Sequence, residues 1–222
     1  MINKYFLAKM NIPAYLKKFF YIKSESGELP SGYTRVEYLE STGTQYIDTG
    51  VNLSNNSNVE INAKLAATQR SKSYYLFGSR IVNKTYMIAV AGASEKYFAD
   101  FVSNSYRINS SISAFDDEFH SHKINNLSYY IDGILQGYTS SLNFTNISSA
   151  YIFDVRDRGT PATLGIQSWK IKYCKIWNRN KLIRNFIPCT NSSNVAGMYD
   201  TVNKVFYTNA GSGTFNVGPI VN

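Results

Sequence analysis

Two short stretches hold the side chains best suited to chemistry. Asp116-Asp117-Glu118, followed by His120 and His122, is the one dense cluster of hard and borderline metal ligands in the chain. On a strand His120 and His122 share a face, which makes a zinc or calcium site geometrically open. An acidic turn running into a strand accounts for the same residues without a metal, and this is the preferred reading, so neither a metal nor another cofactor is expected. The second stretch, Asp154-Val155-Arg156-Asp157-Arg158, puts Asp154, Arg156 and Arg158 on one face of an extended chain, where arginine forks can fix a hydroxyl or a carboxylate. With the ring faces of Tyr74 and Tyr86 as stacking surface, these five residues form the expected ligand-binding set.

Motifs for catalysis are missing. Glycoside hydrolysis needs two carboxylates across one groove, and no strand of the form Glu-x-Asp-x-Glu occurs. Nor is there a Gly-x-Ser-x-Gly elbow, a phosphate-binding loop, a His-Glu-x-x-His helix or a dinucleotide fingerprint. No catalytic residue is therefore assigned. Cys174 and Cys189 have apolar neighbours and no metal-ligand spacing, which predicts buried thiols.

The charge balance of the 222 residues is +8, from 23 Lys and Arg against 15 Asp and Glu. From Arg158 to Tyr199 the chain carries basic residues and no acidic one, with Trp169, Tyr173 and Trp177 among Lys170, Lys172 and Lys175. Such interleaving can line a phosphate-bearing groove. A strand with lysines on its wet face explains it as well and is preferred, so nucleic acid is not an expected partner.

Elements that could position these residues are mostly strands. Charged residues are only 17% of the chain and aromatics reach 15%, which suits half-buried sheets better than charged helix faces. Segments rich in Val, Ile, Tyr, Phe and Thr recur every 8–12 residues between Gly, Asn and Ser, the pattern of a sandwich or barrel. Strands are predicted near 44–48, 58–66, 74–78, 85–91, 97–101, 120–124, 128–132, 134–137, 151–155, 169–177, 205–207 and 214–217. Asp132-Gly133 fits a two-residue hairpin turn needing positive φ. In 169–177 the alternation Trp169, Ile171, Tyr173 slips to Cys174, Ile176, which predicts a bulge near Tyr173.

Residues 1–28 read differently. Asn11 is a plausible N-cap and Pro13 suits a first turn, while Ile12, Tyr15, Leu16, Phe19 and Phe20 recur at helical spacing opposite Lys17 and Lys18. A helix this short is marginal alone in water, so its stripe is expected to dock, on a protein groove rather than a bilayer. No run is apolar enough to span a membrane, and lysines interrupt the stretch where a signal peptide would need its apolar core. Residues 24–32 read as a linker, giving 1–28 as an anchor and 29–222 as one domain.

Both ends of that domain resemble a known module. Leu29-Pro30-Ser31-Gly32-Tyr33 and Glu37-Tyr38-Leu39-Glu40-Ser41-Thr42-Gly43-Thr44-Gln45-Tyr46-Ile47-Asp48-Thr49-Gly50 are similar to the opening of a module common in phage and prophage virion proteins and in some bacterial surface proteins. Lys175-Ile176-Trp177, Leu182 to Cys189, Gly197-Met198-Tyr199-Asp200 and Phe206 to Phe215 are similar to its close. His122 with Tyr130-Ile131-Asp132-Gly133 resembles a laminin-G-like pattern, although Asn185 stands where the family pattern usually has Asp after Arg184.

The resemblance implies an all-β, concanavalin A-like two-sheet jelly-roll sandwich. It also implies a non-enzymatic virion structural or accessory protein, a decoration, fibre or tail-associated part assembled in the bacterial host cytoplasm. Its anchor would meet capsid, neck or tail proteins and its lectin-like domain a host-surface glycan, with a homo-oligomer as a further option. A stand-alone carbohydrate-binding lectin domain of a bacterial surface protein is the alternative, and a glycoside hydrolase ranks last.

Overall fold

A computed structural model describes residues 28–140, 143–162 and 168–221. The expected helix with Ile12, Tyr15, Leu16, Phe19 and Phe20 lies outside them. The described residues form strands, turns and bends, with no helix.

In chain order the strands begin β1 (Tyr33–Arg35), β2 (Leu39–Glu40), β3 (Ile47–Ser54), β4 (Ser57–Leu65), β5 (Tyr74–Ile81), β6 (Lys84–Ala91) and β7 (Lys96–Phe101). They continue with β8 (Ser103–Ser113), β9 (His120–Asn125), β10 (Ser128–Ile131), β11 (Ile134–Tyr138), β12 (Thr145–Ile152), β13 (Arg156–Asp157) and β14 (Thr160–Pro161). The last are β15 (Trp169–Asn178), β16 (Lys181–Asn191), β17 (Ala196–Asp200), β18 (Val205–Thr208) and β19 (Asn216–Val217). One sheet runs β11-β10-β9-β4-β15-β16-β17-β18, with β1 on β16, β2 on β15 and β19 on β2. The other runs β14-β13-β5-β6-β7-β8, and β12 joins β5 to β3. All pairings are antiparallel except β13 with β5.

Alternation along each strand decides what lies between the sheets. β4 buries Val59, Ile61, Ala63 and Leu65 and turns Glu60, Asn62 and Lys64 outward. From the facing sheet come Tyr86, Ile88 and Val90 of β6 and Tyr97, Ala99 and Phe101 of β7. Two polar tips bridge the layers: Trp169 Nε1 donates to the Tyr75 carbonyl at 3.0 Å, and the Tyr86 hydroxyl donates to the Ser57 carbonyl at 2.9 Å. Buried rings of this kind contribute roughly 1.5–3 kcal/mol each, and their polar tips need partners in so dry a place.

The Asp132-Gly133 hairpin forms as its residues require, with Ile131 facing Ile134 and φ of 52° and 80° in the turn. Seven strands fall outside the ranges expected from sequence: the longer β8, β16 and β17 and the two- or three-residue β1, β2, β13 and β14. Pro188 inside β16 argues against a strand by itself, yet its carbonyl accepts from Val36 N–H at 3.1 Å where β1 joins the sheet. The ion pair at the β16 corner uses a distant carboxylate, Asp200, 3.6 Å from Arg184 Nε, while Asp200 also accepts from Asn185 N–H at 3.0 Å. Asn185 therefore does not abolish an Arg–Asp pairing there.

Candidate functional site

The bulge expected near Tyr173 is present between Ile171 and Tyr173, against β4. A bulge re-aims side chains. Here it turns Lys172 and Tyr173 outward in succession while Ile171 and Cys174 stay buried. Tyr173 sits opposite Asn62, and Asn62 opposite Ser121, so one outward row crosses β15, β4 and β9. The Tyr173 hydroxyl donates to Glu60 Oε1 at 2.9 Å and meets Ser121 Oγ at 3.5 Å. Burial, reinforced by the Glu60 carboxylate, lifts this hydroxyl to about 12, which keeps it a donor at neutral pH.

The walls come from both ends of the domain. Val36 bridges Ile220, Glu37 N–H donates to the Pro219 carbonyl at 2.8 Å, and Val221 N–H donates to the Arg35 carbonyl at 3.0 Å. Together with Phe119 these segments close a groove of about 430 Å³ lined by Arg35, Glu37, Asn62, Phe119, Lys172 and Tyr173. Lys172 Nζ pairs with Glu37 Oε1 at 2.9 Å and lies 4.1 Å from the Phe119 ring centre. At the groove, Asn62 Oδ1 is buried with no hydrogen-bond partner among the described residues. An acceptor left so costs stability unless something outside the chain satisfies it.

Phe119 is held by the acidic turn. Lys64 pairs with Asp117 at 2.5 Å, and His120 is clasped between Asp132 on Nδ1 at 2.6 Å and Asp116 on Nε2 at 2.8 Å. Burial works against the imidazolium, but the bonds to Asp132 and Asp116 outweigh it and raise the pKa of His120. His122 is the opposite case. It is fully buried, its Nδ1 is 2.9 Å from the Tyr129 hydroxyl, and burial with the neighbouring His120 charge pushes it down to about 3. Both nitrogens of His120 are thus engaged by protein. Among the described residues no three His, Cys, Asp or Glu side chains are disposed to hold a metal ion.

The five residues expected to bind ligand do not share a surface. Tyr74 and Tyr86 are 1% and 0% exposed and belong to the core, because alternation from Tyr75 and Met87 turns them inward. Asp154 is buried, 2% exposed, with Oδ1 accepting from Val155 N–H at 2.7 Å. Arg156 reaches Asp48 at 3.3 Å and Ser149 Oγ at 2.7 Å and lies over the Tyr151 ring. Arg158 is 76% exposed at its side chain and reaches only Asp157, at 4.0 Å. The lysines of β15 are the wet face of a strand, with Lys170 3.9 Å from Glu40. Cys174 and Cys189 are buried free thiols, both pushed up by burial. Of the groove residues, Lys172 and Tyr173 were legible, as part of the aromatic and lysine stretch of β15 and by the period slip; Arg35, Glu37, Asn62 and Phe119 escaped sequence reasoning because they lie far apart in the chain.

No protein-family model matches the chain, and no curated protein matches it. Among solved structures it is similar to a protein of Bacteroides ovatus ATCC 8483 that is provisionally described as carbohydrate binding, with a TM-score of 0.52 at 8% identity. The match covers 85% of this chain and 62% of that one, so the chain spans less than two thirds of its neighbour's length. At this identity the likeness is one of fold, and the fold shared is an all-β sandwich of two sheets.

Proposed function

We propose that the chain is a non-enzymatic carbohydrate-binding module with a concanavalin A-like jelly roll, and that its ligand lies in the groove over the β15 bulge. The observation that carries this is the unpartnered Asn62 carbonyl beside the outward Tyr173 and Phe119 rings. A hydroxyl-rich, ring-shaped ligand offers both what Asn62 lacks and apolar CH faces for the rings. The volume suits one or two sugar units by comparison with ordinary ligand pockets of roughly 300–1,000 Å³. Glu37 is tied to Lys172, and Glu60 to Tyr173, which commits the groove's carboxylates to positioning rather than proton transfer.

The setting we propose, a virion reached by docking Ile12, Tyr15, Leu16, Phe19 and Phe20 on a capsid, neck or tail partner, rests on the sequence resemblance. Support from the fold neighbour goes to the alternative, a lectin domain of a bacterial surface protein. A glycan array on the full chain tests the binding. Asn62→Ala should abolish retention of the bound glycan while leaving the melting temperature unchanged or slightly higher, since it removes an unsatisfied polar group. If Asn62→Ala binds as the parent does, the groove is not the site; if no glycan is retained, the module does not bind sugar.

A further inference from the structure

Among the described residues, the charged side chains that line the groove or stand beside it are paired, except Arg35 in the lining and Lys175, which lies over the Tyr173 ring at 5.6 Å outside it. Lys172 pairs with Glu37, Lys64 with Asp117, Lys123 with Glu60 at 3.7 Å and Lys170 with Glu40. Arg35 lines the same groove and makes no ion pair or side-chain hydrogen bond among the described residues. Its backbone is nonetheless fixed on two sides, opposite Cys189 in β16 and by the bond from Val221 N–H. A guanidinium on so firm a base presents a planar fork of donors, the geometry that a carboxylate or sulfate accepts bidentately.

We propose that the groove is selective for anionic sugars, and that Arg35 is the residue that reads the acidic group while Asn62 and the rings hold the neutral remainder. This rests on the carbohydrate-binding reading above. The Lys172–Glu37 pair supports the division of labour: Lys172 is already neutralised at 2.9 Å, so the excess of charge among the lining residues is that of Arg35. An uncharged sugar would leave that excess in place, whereas an acidic one pairs with the exposed Arg35 at the groove's mouth.

Calorimetric titration of the full chain with three probes tests the idea: a galacturonate oligosaccharide, a sulfated galacto-oligosaccharide and the neutral galacto-oligosaccharide. At least one anionic probe should bind about tenfold tighter than the neutral one, with the preference shrinking as salt is raised. The two anionic arms decide between carboxylate and sulfate. Arg35→Gln should cut the preference to within about twofold, and Arg35→Lys should fall between, because an ammonium lacks the fork. Equal binding of all three probes, or an anionic preference that survives Arg35→Gln, overturns the assignment while the carbohydrate reading stands. Failure of all three probes, with the glycan array also blank, overturns that reading itself.

Discussion

Arginine and aromatic side chains meet on the outer faces of both sheets, to opposite effect. On the second sheet Arg107 lies 3.8 Å from the Phe98 ring centre and grips buried Asp100 with two bonds, of 2.8 and 2.7 Å. Arg80 likewise lies over Tyr75 and pairs with Asp157 at 2.7 Å. Between them Met87, Ala89 and Phe98 are covered, with Val155 packed on them as a small second core. Across the molecule, at the β15 bulge, Arg35 is without a partner among the described residues, and Asn62 has a buried carbonyl that none of them satisfies. Residue types alone would rank the second sheet's face the better binding surface. What separates Arg107 from Arg35 is saturation: a guanidinium already stacked and doubly bonded has little left for a ligand, although Asp157 Oδ1 and Arg156 Nε on the second sheet are themselves buried without hydrogen-bond partners among the described residues.

The largest effect expected from this contrast is on stability. Arg107→Leu strands the Asp100 carboxylate, which is 0% exposed, and should cost about 3 kcal/mol. In a domain of this size that lowers the melting temperature by roughly 6–12 °C, seen by calorimetry, with glycan affinity unchanged below the transition. Arg35→Gln should leave the melting temperature unchanged and lower affinity for the anionic probe. If Arg107→Leu melts as the parent does but loses sugar, the roles of the two faces are exchanged.

Tyr86→Phe comes next. It leaves the Ser57 carbonyl unpaired in the core and should cost about 1–2 kcal/mol in denaturant unfolding, without touching binding. A loss of binding at full stability would return Tyr86 to the ligand face.

The histidine pair behind Phe119 gives stability a pH optimum whose two limbs have separate owners. His120, raised by Asp132 and Asp116, contributes stability that is fully present below the ordinary histidine value of about 6.5 and is lost as pH rises through its higher folded value. His122, pushed down to about 3, stays neutral when folded while the unfolded chain takes up a proton below about 6.5, so stability falls as pH drops from there. Tyr97, in ring contact with both histidines, is raised far above this range and stays neutral throughout. Melting temperature followed from pH 5 to 8 should therefore pass through a maximum. His120→Gln should flatten the alkaline limb and only ease the acid one, since burial is the larger cause of the His122 shift; an unchanged alkaline limb would show that the Asp116–His120–Asp132 clasp does not form.

Arg158→Ala is the smallest change, within about 0.5 kcal/mol and without effect on binding, because its side chain is mostly in water. An altered glycan affinity in this variant would place a second site at the β13–β14 turn.

Local chemistry was legible in the sequence wherever a few neighbouring residues decide the outcome. The all-β class follows from the period-2 apolar segments, the β10–β11 turn from Asp132-Gly133, and the bulge from the slip after Tyr173. Each is a constraint within about ten residues, so no distant contact is needed to set it. Strands β8, β16 and β17 were not legible although they pair with chain neighbours, because Ser and Asn crowd β8, Pro188 interrupts β16 and Gly197 lies in β17, and the two- and three-residue strands β1, β2, β13 and β14 are too short to carry a period.

Only the tertiary structure decided which aromatics face water. Alternation divides a strand into two faces without saying which one meets the other sheet, and so Tyr74 and Tyr86, plausible sugar platforms by type, are core, while Tyr173 is presented by its bulge. Only the fold, too, could assemble the groove. Residues 35–37 and 221 meet because the two ends of the domain lie antiparallel, and they close over Asn62 and Tyr173 because β4 and β15 are neighbours in a sheet whose order departs from that of the chain. Sequence fixes local periods and turns through short-range sterics; a binding groove depends on which distant groups are left unsatisfied once the core has formed.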